Sequence, residues 1–195
     1  MNPLTTFVIP TIGRQTLKNA VDSIIAQTIN NWKCIIACDG IPIAPYFLSP
    51  EYFKVSQISI PKIANAGKVR NLTFPLISTP WISFLDDDDA LNIFYMYWLN
   101  RYIKEDPDLD CIIFTMCYAD GYKHPKDTAK TFTGGDVGIS FSVKMDFIIK
   151  HNLLFDAGKD EDYALLSKIR KLGGKIKISE KEMYYIRPYL LHTNL

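Results

Sequence analysis

Four consecutive aspartates, residues 86–89, are the first feature of the sequence that could do chemistry. They follow the mostly apolar residues 81–85 (WISFL), which predict a buried strand. Adjacent carboxylates repel one another, so a cation, basic neighbours or exposure to water must offset the repulsion. A D-x-D spacing at the end of a strand can bind Mg²⁺ or Mn²⁺ together with a diphosphate, because hard cations prefer oxygen ligands. A solvated acidic loop is the alternative, and the preceding strand favours the metal site.

Two other uses of an aspartate run can be tested on the sequence. An EF-hand loop counted from Asp86 requires Gly at its sixth position and Glu at its twelfth, where this chain has Leu91 and Tyr97. The EF-hand is therefore excluded. A phosphatase of the haloacid-dehalogenase type also has D-x-D after an apolar strand. Ala90 replaces its expected Thr or Val, and the run does not follow the first strand, so this reading stays an alternative.

Composition and charge bound the class of protein. The 195 residues are 48% hydrophobic and carry a formal net charge of +1, which indicates one domain with a full core and argues against a non-specific nucleic-acid binder. No apolar run approaches the length of a membrane-spanning helix, and no secretory signal is recognisable. We expect a cytoplasmic protein without a membrane span, with peripheral attachment left open. The cysteines lie in apolar runs without a C-x-x-C pair and are predicted to be reduced core residues: Cys34, Cys38, Cys111 and Cys117.

Strands and helices alternate in the first half of the chain. Apolar runs predict strands at residues 5–9, 32–38, 54–60 and 81–85. Helical spacing predicts helices at 14–27 and 65–78, the second interrupted or ended near Pro75. This order favours a parallel sheet with right-handed crossovers, whose ligands bind beyond the carboxyl ends of the strands. The aspartates lie at such an end.

The second half is less regular. Helices are predicted at residues 93–104, 145–151 and 160–172, and strands at 111–116, 140–143, 175–178 and 183–186. The polar, Gly-rich residues 123–138 predict a loop. The aromatic helix, with Phe94, Tyr95, Tyr97 and Trp98, is interpreted as core in preference to a sugar platform.

With these elements in place, several motifs in chain order resemble glycosyltransferase family 2 over residues 5–187. They are FVIPTIGR (7–14), CIIACDG (34–40), AGKVRN (66–71), ISFLDDDD (82–89), DEDYALLSKIRKLGGKI (160–176) and YYIR (184–187). The resemblance implies an α/β fold of the GT-A (Rossmann-like) type, a single domain over residues 1–195 with a central, mostly parallel sheet flanked by helices. Residues 1–90 would form its nucleotide-binding half and 91–195 its acceptor-side half. One departure is Cys38, where the family commonly has a second aspartate.

The same resemblance implies roles for residues of the first half. Asp39 would accept a hydrogen bond from uracil N3–H, unless it only forms an Asp-Gly turn. Arg70 would contact a base carbonyl or a phosphate, with a surface arginine as the alternative. Asp86 fits the ribose hydroxyls and Asp88 the metal. Asp87 and Asp89 are expected either to support the metal ligands without binding the metal themselves or to be solvated. The predicted nucleotide-binding residues are Pro10, Thr11, Arg14, Asp39, Arg70, Asp86 and Asp87.

The second half would supply catalysis and the acceptor side. Asp162 is the expected general base of an inverting transfer, with Glu161 as the competing candidate. Both could instead be ordinary acids at a helix N-terminus. His192 is a candidate further ligand of metal or phosphate. The loop expected to border the acceptor contains Thr133, Gly134, Gly135 and Asp136.

The expected function is a metal-dependent, inverting glycosyltransferase using Mn²⁺ or Mg²⁺. It would move a sugar from a nucleotide-sugar, UDP-sugar being favoured over TDP or GDP, to the hydroxyl of a glycan or other acceptor. Besides the phosphatase, two alternatives stay open. A nucleotidyltransferase would need a Gly-rich phosphate loop after the first strand, where PTIGR has one glycine. A non-catalytic nucleotide- or sugar-binding module would bind without turnover.

Overall fold

The computed structural model of the chain describes residues 2–125 and 131–188. The strands of this part are β1 (Thr5–Thr11), β2 (Trp32–Asp39), β3 (Val55–Ile60), β4 (Trp81–Phe84), β5 (Ala90–Leu91), β6 (Cys111–Tyr118), β7 (Lys123–His124), β8 (Phe141–Lys144) and β9 (Ile176–Ile186). The helices are α1 (Leu17–Ile25), α2 (Ala66–Thr73), α3 (Tyr95–Glu105), α4 (Met145–Lys150) and α5 (Glu161–Lys171). Short 3-10 turns cover Pro45–Leu48, Pro50–Tyr52 and Phe74–Leu76.

All of these strands join one mixed sheet. The order across it is β3-β2-β1-β4-β8-β6-β9-β5, and β7 pairs with β6. Strands β1 to β4 run parallel, β9 runs parallel to β6, and β8 lies antiparallel between β4 and β6. The α/β architecture with a mostly parallel sheet, predicted from the sequence, is therefore confirmed.

The mostly apolar sequences of the central strands β1 and β2 fit their burial in the core. All seven residues of β1 and seven of the eight in β2 are buried, as is usual for parallel strands covered on both faces. Helix α1 packs on this core with residues at helical spacing, which are Leu17, Ala20, Val21 and Ile24. Strands β1 and β2 and helix α1 thus form the part of the core that positions the carboxyl ends of the strands.

The predicted elements needed two corrections, one at β9 and one at the short strands β5 and β7. Residues 175–178 and 183–186, predicted as two strands, belong to the single strand β9, whose pairing with β6 has an irregularity between Ile178 and Glu182. Bulged residues are left out of the ladder, so the polar residues between resemble a turn in the sequence. The helix predicted at 65–78, with an interruption or end near Pro75, ends at Thr73 and is followed by the 3-10 turn Phe74–Leu76, so the predicted break is confirmed. Strands β5 and β7 have two residues each and were not predicted.

Two expectations about buried side chains were wrong in part. Cys34, Cys38 and Cys111 are free and buried, but Cys117 is only partly buried and its Sγ lies 3.1 Å from Glu182 Oε2. On the aromatic segment around α3, Tyr95 is in the core, whereas Phe94 and Tyr97 are exposed. No helix of the described residues is both long and apolar enough to cross a membrane.

Candidate active site

The carboxyl ends of three neighbouring strands bring distant polar residues to one edge of the sheet. Thr11 ends β1 opposite Cys38, so Asp39 follows one residue further along β2. Val8 of β1 pairs with Phe84 of β4. Three residues further along each of these two segments, Thr11 and Asp87 therefore lie side by side. A cleft of about 380 Å³ opens at this edge. The predicted nucleotide-binding residues that line it are Pro10, Thr11, Arg14, Asp39, Asp86 and Asp87.

The Asp39 carboxylate fixes one wall of this cleft. Its two oxygens accept hydrogen bonds from the backbone N–H groups of Ile63 (2.5 Å) and Ala64 (2.8 Å). Those residues precede α2, whose first turn is capped by Asn65 accepting from Lys68 N. A carboxylate has about four lone-pair sites, so Asp39 can accept a further donor from a ligand.

Asp87 fixes the opposite wall. It is buried, accepts a hydrogen bond from Thr11 Oγ1 at 2.6 Å and forms an ion pair with Arg14. Thr11 Oγ1 in turn accepts from the backbone N–H of Gly13, which has a φ of +89°, a conformation that suits glycine. Asp87 therefore shapes the turn after β1 and is not solvated.

The other three aspartates converge. Asp86, Asp88 and Asp89 each place one carboxylate oxygen within 4.8 Å of the others. Asp89 is buried and accepts a hydrogen bond from the backbone N–H of Arg187 at 2.9 Å, while Arg187 Nε donates to Asp88 at 3.1 Å. Burial and the charge of Asp86 raise the pKa of Asp89 to about 7. Three oxygens at this spacing fit a hard divalent cation.

Arg70 lies beneath the cleft instead of lining it. Its side chain is 2% exposed and donates hydrogen bonds to Asp86 Oδ1 at 2.5 Å and Glu161 Oε1 at 2.6 Å. Gly67, one turn earlier, permits this contact, because a Cβ there would lie 2.7 Å from Glu161 Oε2. The guanidinium thus links the aspartates after β4 to the start of α5.

Asp162 stands next to that link. Its Oδ1 lies 3.9 Å from Arg70 Nη1 and is buried without a hydrogen-bond partner among the described residues. Burial raises the pKa of Asp162 to about 7; Arg70 opposes the rise, and Asp86 and Glu161 add to it. A carboxyl group with a pKa near neutrality can take up a proton from a substrate at physiological pH. Glu161 is already hydrogen-bonded to Arg70.

Asp162 lines a second cleft, of about 310 Å³, on the other side of the aspartate run. Asp86, Asp88 and Arg187 line both clefts. The further residues of the second cleft are Asp89, Met116, Tyr118, His124, Gly135, Val137, Gly138, Ile139 and Ile186. The site thus has two compartments, with the aspartates on their common border.

The residues predicted on the acceptor side differ in whether they line the second cleft. Gly135 lines the second cleft. Gly134 lies beside Tyr163, and Asp136 accepts hydrogen bonds from the backbone and hydroxyl of Thr133, which closes the loop on itself. His192 lies outside the described residues.

The sequence interpretation gave no role to several residues of the site. Arg187 carries no local signal beyond its place in YYIR. Tyr118 lies two residues beyond the strand predicted at 111–116, and His124 lies in the loop predicted at 123–138. The position of Asp89 directly after D-x-D was the one available signal for its part in the cluster.

Several solved structures of one S. aureus protein have backbones similar to that of this chain. The structure titled "Crystal structure of S. aureus TarS 1-349" superposes with a TM-score of 0.79 at 16% identity, over 94% of this chain and 60% of that one. The complex of the same fragment with UDP-GlcNAc gives 0.76 at 16% identity, over 93% and 58%. The UDP complex gives 0.75 at 14% identity, over 93% and 60%. The GT-A fold is confirmed, and the chain spans about 60% of the TarS fragment.

Comparison of the sequence gives the family. No protein of curated function matches the chain. The family model described as "Glycosyl transferase family 2" matches residues 6–163, which contain all of β1 but its first residue, and the start of α5. That match favours a transferase over the phosphatase alternative. The chain belongs to glycosyl transferase family 2.

Proposed function

We propose that this chain transfers a sugar from a UDP-sugar to an acceptor hydroxyl, with inversion and with the help of a divalent cation. The observation that carries the proposal is the division of the site into two clefts. One contains Asp39 and the β1 turn, the other contains Asp162, and Asp86 and Asp88 line both. A transfer needs such a border, because donor and acceptor must meet at one reacting carbon.

The first cleft takes the nucleotide. Asp39 is oriented by two backbone amides and accepts the N3–H of uracil with its remaining lone pairs. The half-exposed Arg14 lies at the diphosphate end, close to Asp87 and Asp88. The TarS fragment whose backbone resembles this one is described in complex with UDP and with UDP-GlcNAc, which supports a uridine donor here.

Asp86, Asp88 and Asp89 hold Mg²⁺ or Mn²⁺. Their oxygens are close enough to share one ion, and both cations prefer such oxygen ligands. When bound, the cation supplies positive charge to the diphosphate leaving group. Arg70 keeps Asp86 in place from below through its hydrogen bond.

Asp162 is the general base. Asp162 and Gly138 both line the second cleft, and a Cβ at position 138 would lie 3.9 Å from Asp162 Oδ2. Oδ2 therefore borders the open cleft, whereas Oδ1 faces Arg70. The carboxylate removes the proton of the acceptor hydroxyl as its oxygen bonds to the anomeric carbon, and UDP leaves with the electron pair of the broken bond. Attack opposite the leaving group inverts the anomeric centre.

The test is turnover of a panel of UDP-, TDP- and GDP-sugars, followed as nucleotide release with Mg²⁺, Mn²⁺ or EDTA. We expect a UDP-sugar to be hydrolysed slowly by water in the presence of metal, and faster when a usable acceptor is added. NMR of the product reports the anomeric configuration. If a TDP- or GDP-sugar alone is consumed, or if EDTA changes nothing, the donor or metal assignment is wrong.

A further inference from the structure

The second cleft has an aromatic wall. Tyr118 ends β6 and His124 lies on β7, and the hairpin between them is closed by a hydrogen bond from Tyr118 N to Tyr122 O at 2.9 Å. The rings of Tyr118 and His124 lie 5.7 Å apart at 70°, and Tyr122 supports His124 from outside at 4.4 Å. The Tyr118 side chain is 36% exposed, so part of its ring is available to a ligand.

A glycine keeps the cleft open in front of the base. A Cβ at Gly138 would lie 3.0 Å from Met116 Cε and 3.9 Å from Asp162 Oδ2. Any side chain there would enter the space between the floor of the cleft and the carboxylate. Tyr118, Gly138 and Asp162 line the same cleft, so a molecule that contacts Tyr118 can present a hydroxyl to Asp162.

The charges of the cleft favour an uncharged occupant. Four carboxylates line it, those of Asp86, Asp88, Asp89 and Asp162, and Arg187 is the one lysine or arginine among the lining residues. Asp86 is paired with Arg70 and Asp88 with Arg187, and a divalent cation and the diphosphate of a donor roughly cancel. The described lining residues of the loaded cleft therefore include no unpaired lysine or arginine, but they include two further carboxyl groups, those of Asp89 and Asp162. Carboxylates accept hydrogen bonds from hydroxyl groups but repel phosphate and carboxylate groups.

Resting on the proposed function, we infer that the acceptor is a neutral, polyhydroxylated ring, such as a sugar. One C–H face stacks on the Tyr118 ring and a hydroxyl approaches Asp162 Oδ2 past Gly138. Aromatic rings present a large apolar face to such a ligand, while the acidic groups satisfy its hydroxyls. Tyr118 and Gly138 thereby determine which acceptors the enzyme uses.

The experiment is saturation-transfer NMR on the protein with UDP and Mg²⁺, using pairs of probes that differ in charge. Methyl glucoside, methyl galactoside and methyl N-acetylglucosaminide are compared with their 6-phosphates. We expect at least one neutral glycoside to bind about 10-fold more tightly than its phosphate. Tyr118→Ala should weaken that binding about 10-fold, and Tyr118→Phe should retain it. Gly138→Val should abolish it.

Controls separate this inference from the function on which it rests. Tyr97→Ala removes an exposed tyrosine that lines neither cleft and should leave glycoside binding unchanged. Binding of UDP should be the same in all variants. Preferential binding of the phosphates, no binding of any neutral glycoside, or unchanged binding in Tyr118→Ala overturns the inference. Failure of UDP itself to bind the wild type would instead contradict the proposed function.

Discussion

The two clefts are built in different ways. The proposed nucleotide cleft is formed mainly by the ends of parallel strands and the segments that follow them, together with the start of α2. Its carboxylates Asp39 and Asp87 are already hydrogen-bonded to backbone or hydroxyl groups. The second cleft is assembled from β6, β7, the loop before β8 and the start of α5. Asp162, the proposed base, has one oxygen without a hydrogen-bond partner in the described residues.

We interpret this difference as a division between ligand binding in the first cleft and proton transfer in the second. A carboxylate whose oxygens accept hydrogen bonds from fixed donors is held in one orientation and offers a constant surface to its ligand. A buried carboxylate with few donors has a pKa near neutrality and can exchange a proton, as the raised pKa of Asp162 indicates. We therefore expect substitutions in one cleft to change nucleotide affinity and substitutions in the other to change turnover.

The largest effect should come from Asp162→Asn. The amide keeps the shape of the side chain but cannot take a proton, so kcat should fall by about 10³-fold, within the range of general-base contributions. UDP affinity, measured by calorimetry, should change less than about 2-fold. A weakened UDP affinity with normal kcat would place Asp162 in the binding cleft and break the comparison.

Arg70→Ala should damage both clefts at once. It leaves Glu161 and Asp86 without their buried partner, and breaking a buried ion pair costs about 3–5 kcal/mol of unfolding free energy. Urea unfolding measures this loss. Arg101→Ala, which removes an exposed arginine paired with Glu105 on α3, is the matched control and should cost less than about 1 kcal/mol. Equal costs would contradict the linking role of Arg70.

Asp39→Asn should affect the nucleotide cleft alone. An amide has one oxygen where the carboxylate uses two, so either Ile63 N or Ala64 N loses its acceptor. The uracil N3–H also loses its charged acceptor. Because hydrogen bonds to a charged group are worth about 1.5–3 kcal/mol, we expect UDP to bind about 10- to 100-fold more weakly. Binding of neutral glycosides to the second cleft is the internal reference, and a parallel loss there would indicate general misfolding.

The smallest effect is a pH dependence specific to the second cleft. Because the base acts when deprotonated and the pKa of Asp162 is about 7, kcat/KM should rise about 10-fold between pH 6 and pH 8 and then level off. The residual activity of Asp162→Asn should lack this inflection. A wild-type profile that is flat, or that falls over this interval, would remove Asp162 from the role of base.

The sequence predicted the nucleotide cleft better than the second one, and the reason is physical. Asp39 and the aspartate run each directly follow an apolar run that predicts a strand, residues 32–38 and 81–85, so a local pattern places them at the carboxyl edge of the sheet. Asp162 is similarly marked by its place at the start of a helix and in a family motif.

The remaining features depend on contacts between distant segments. Arg70 and Glu161 are 91 residues apart, and Asp89 and Arg187 are 98 apart. No local sequence pattern indicates that Arg70 is buried. Nor does any local pattern indicate that β9, which ends just before Arg187, lies close to the aspartates. The pairing of Tyr118 with His124 likewise depends on β7, whose two residues carry no periodic signal.

The most direct test of the two-cleft account is calorimetric titration of UDP with Mg²⁺ into the wild type, Asp88→Asn and Asp162→Asn. We predict that UDP binds the wild type only when metal is present, that Asp88→Asn weakens this binding at least about 10-fold, and that Asp162→Asn leaves it intact. Metal-independent binding, or equal loss in both variants, would contradict the account.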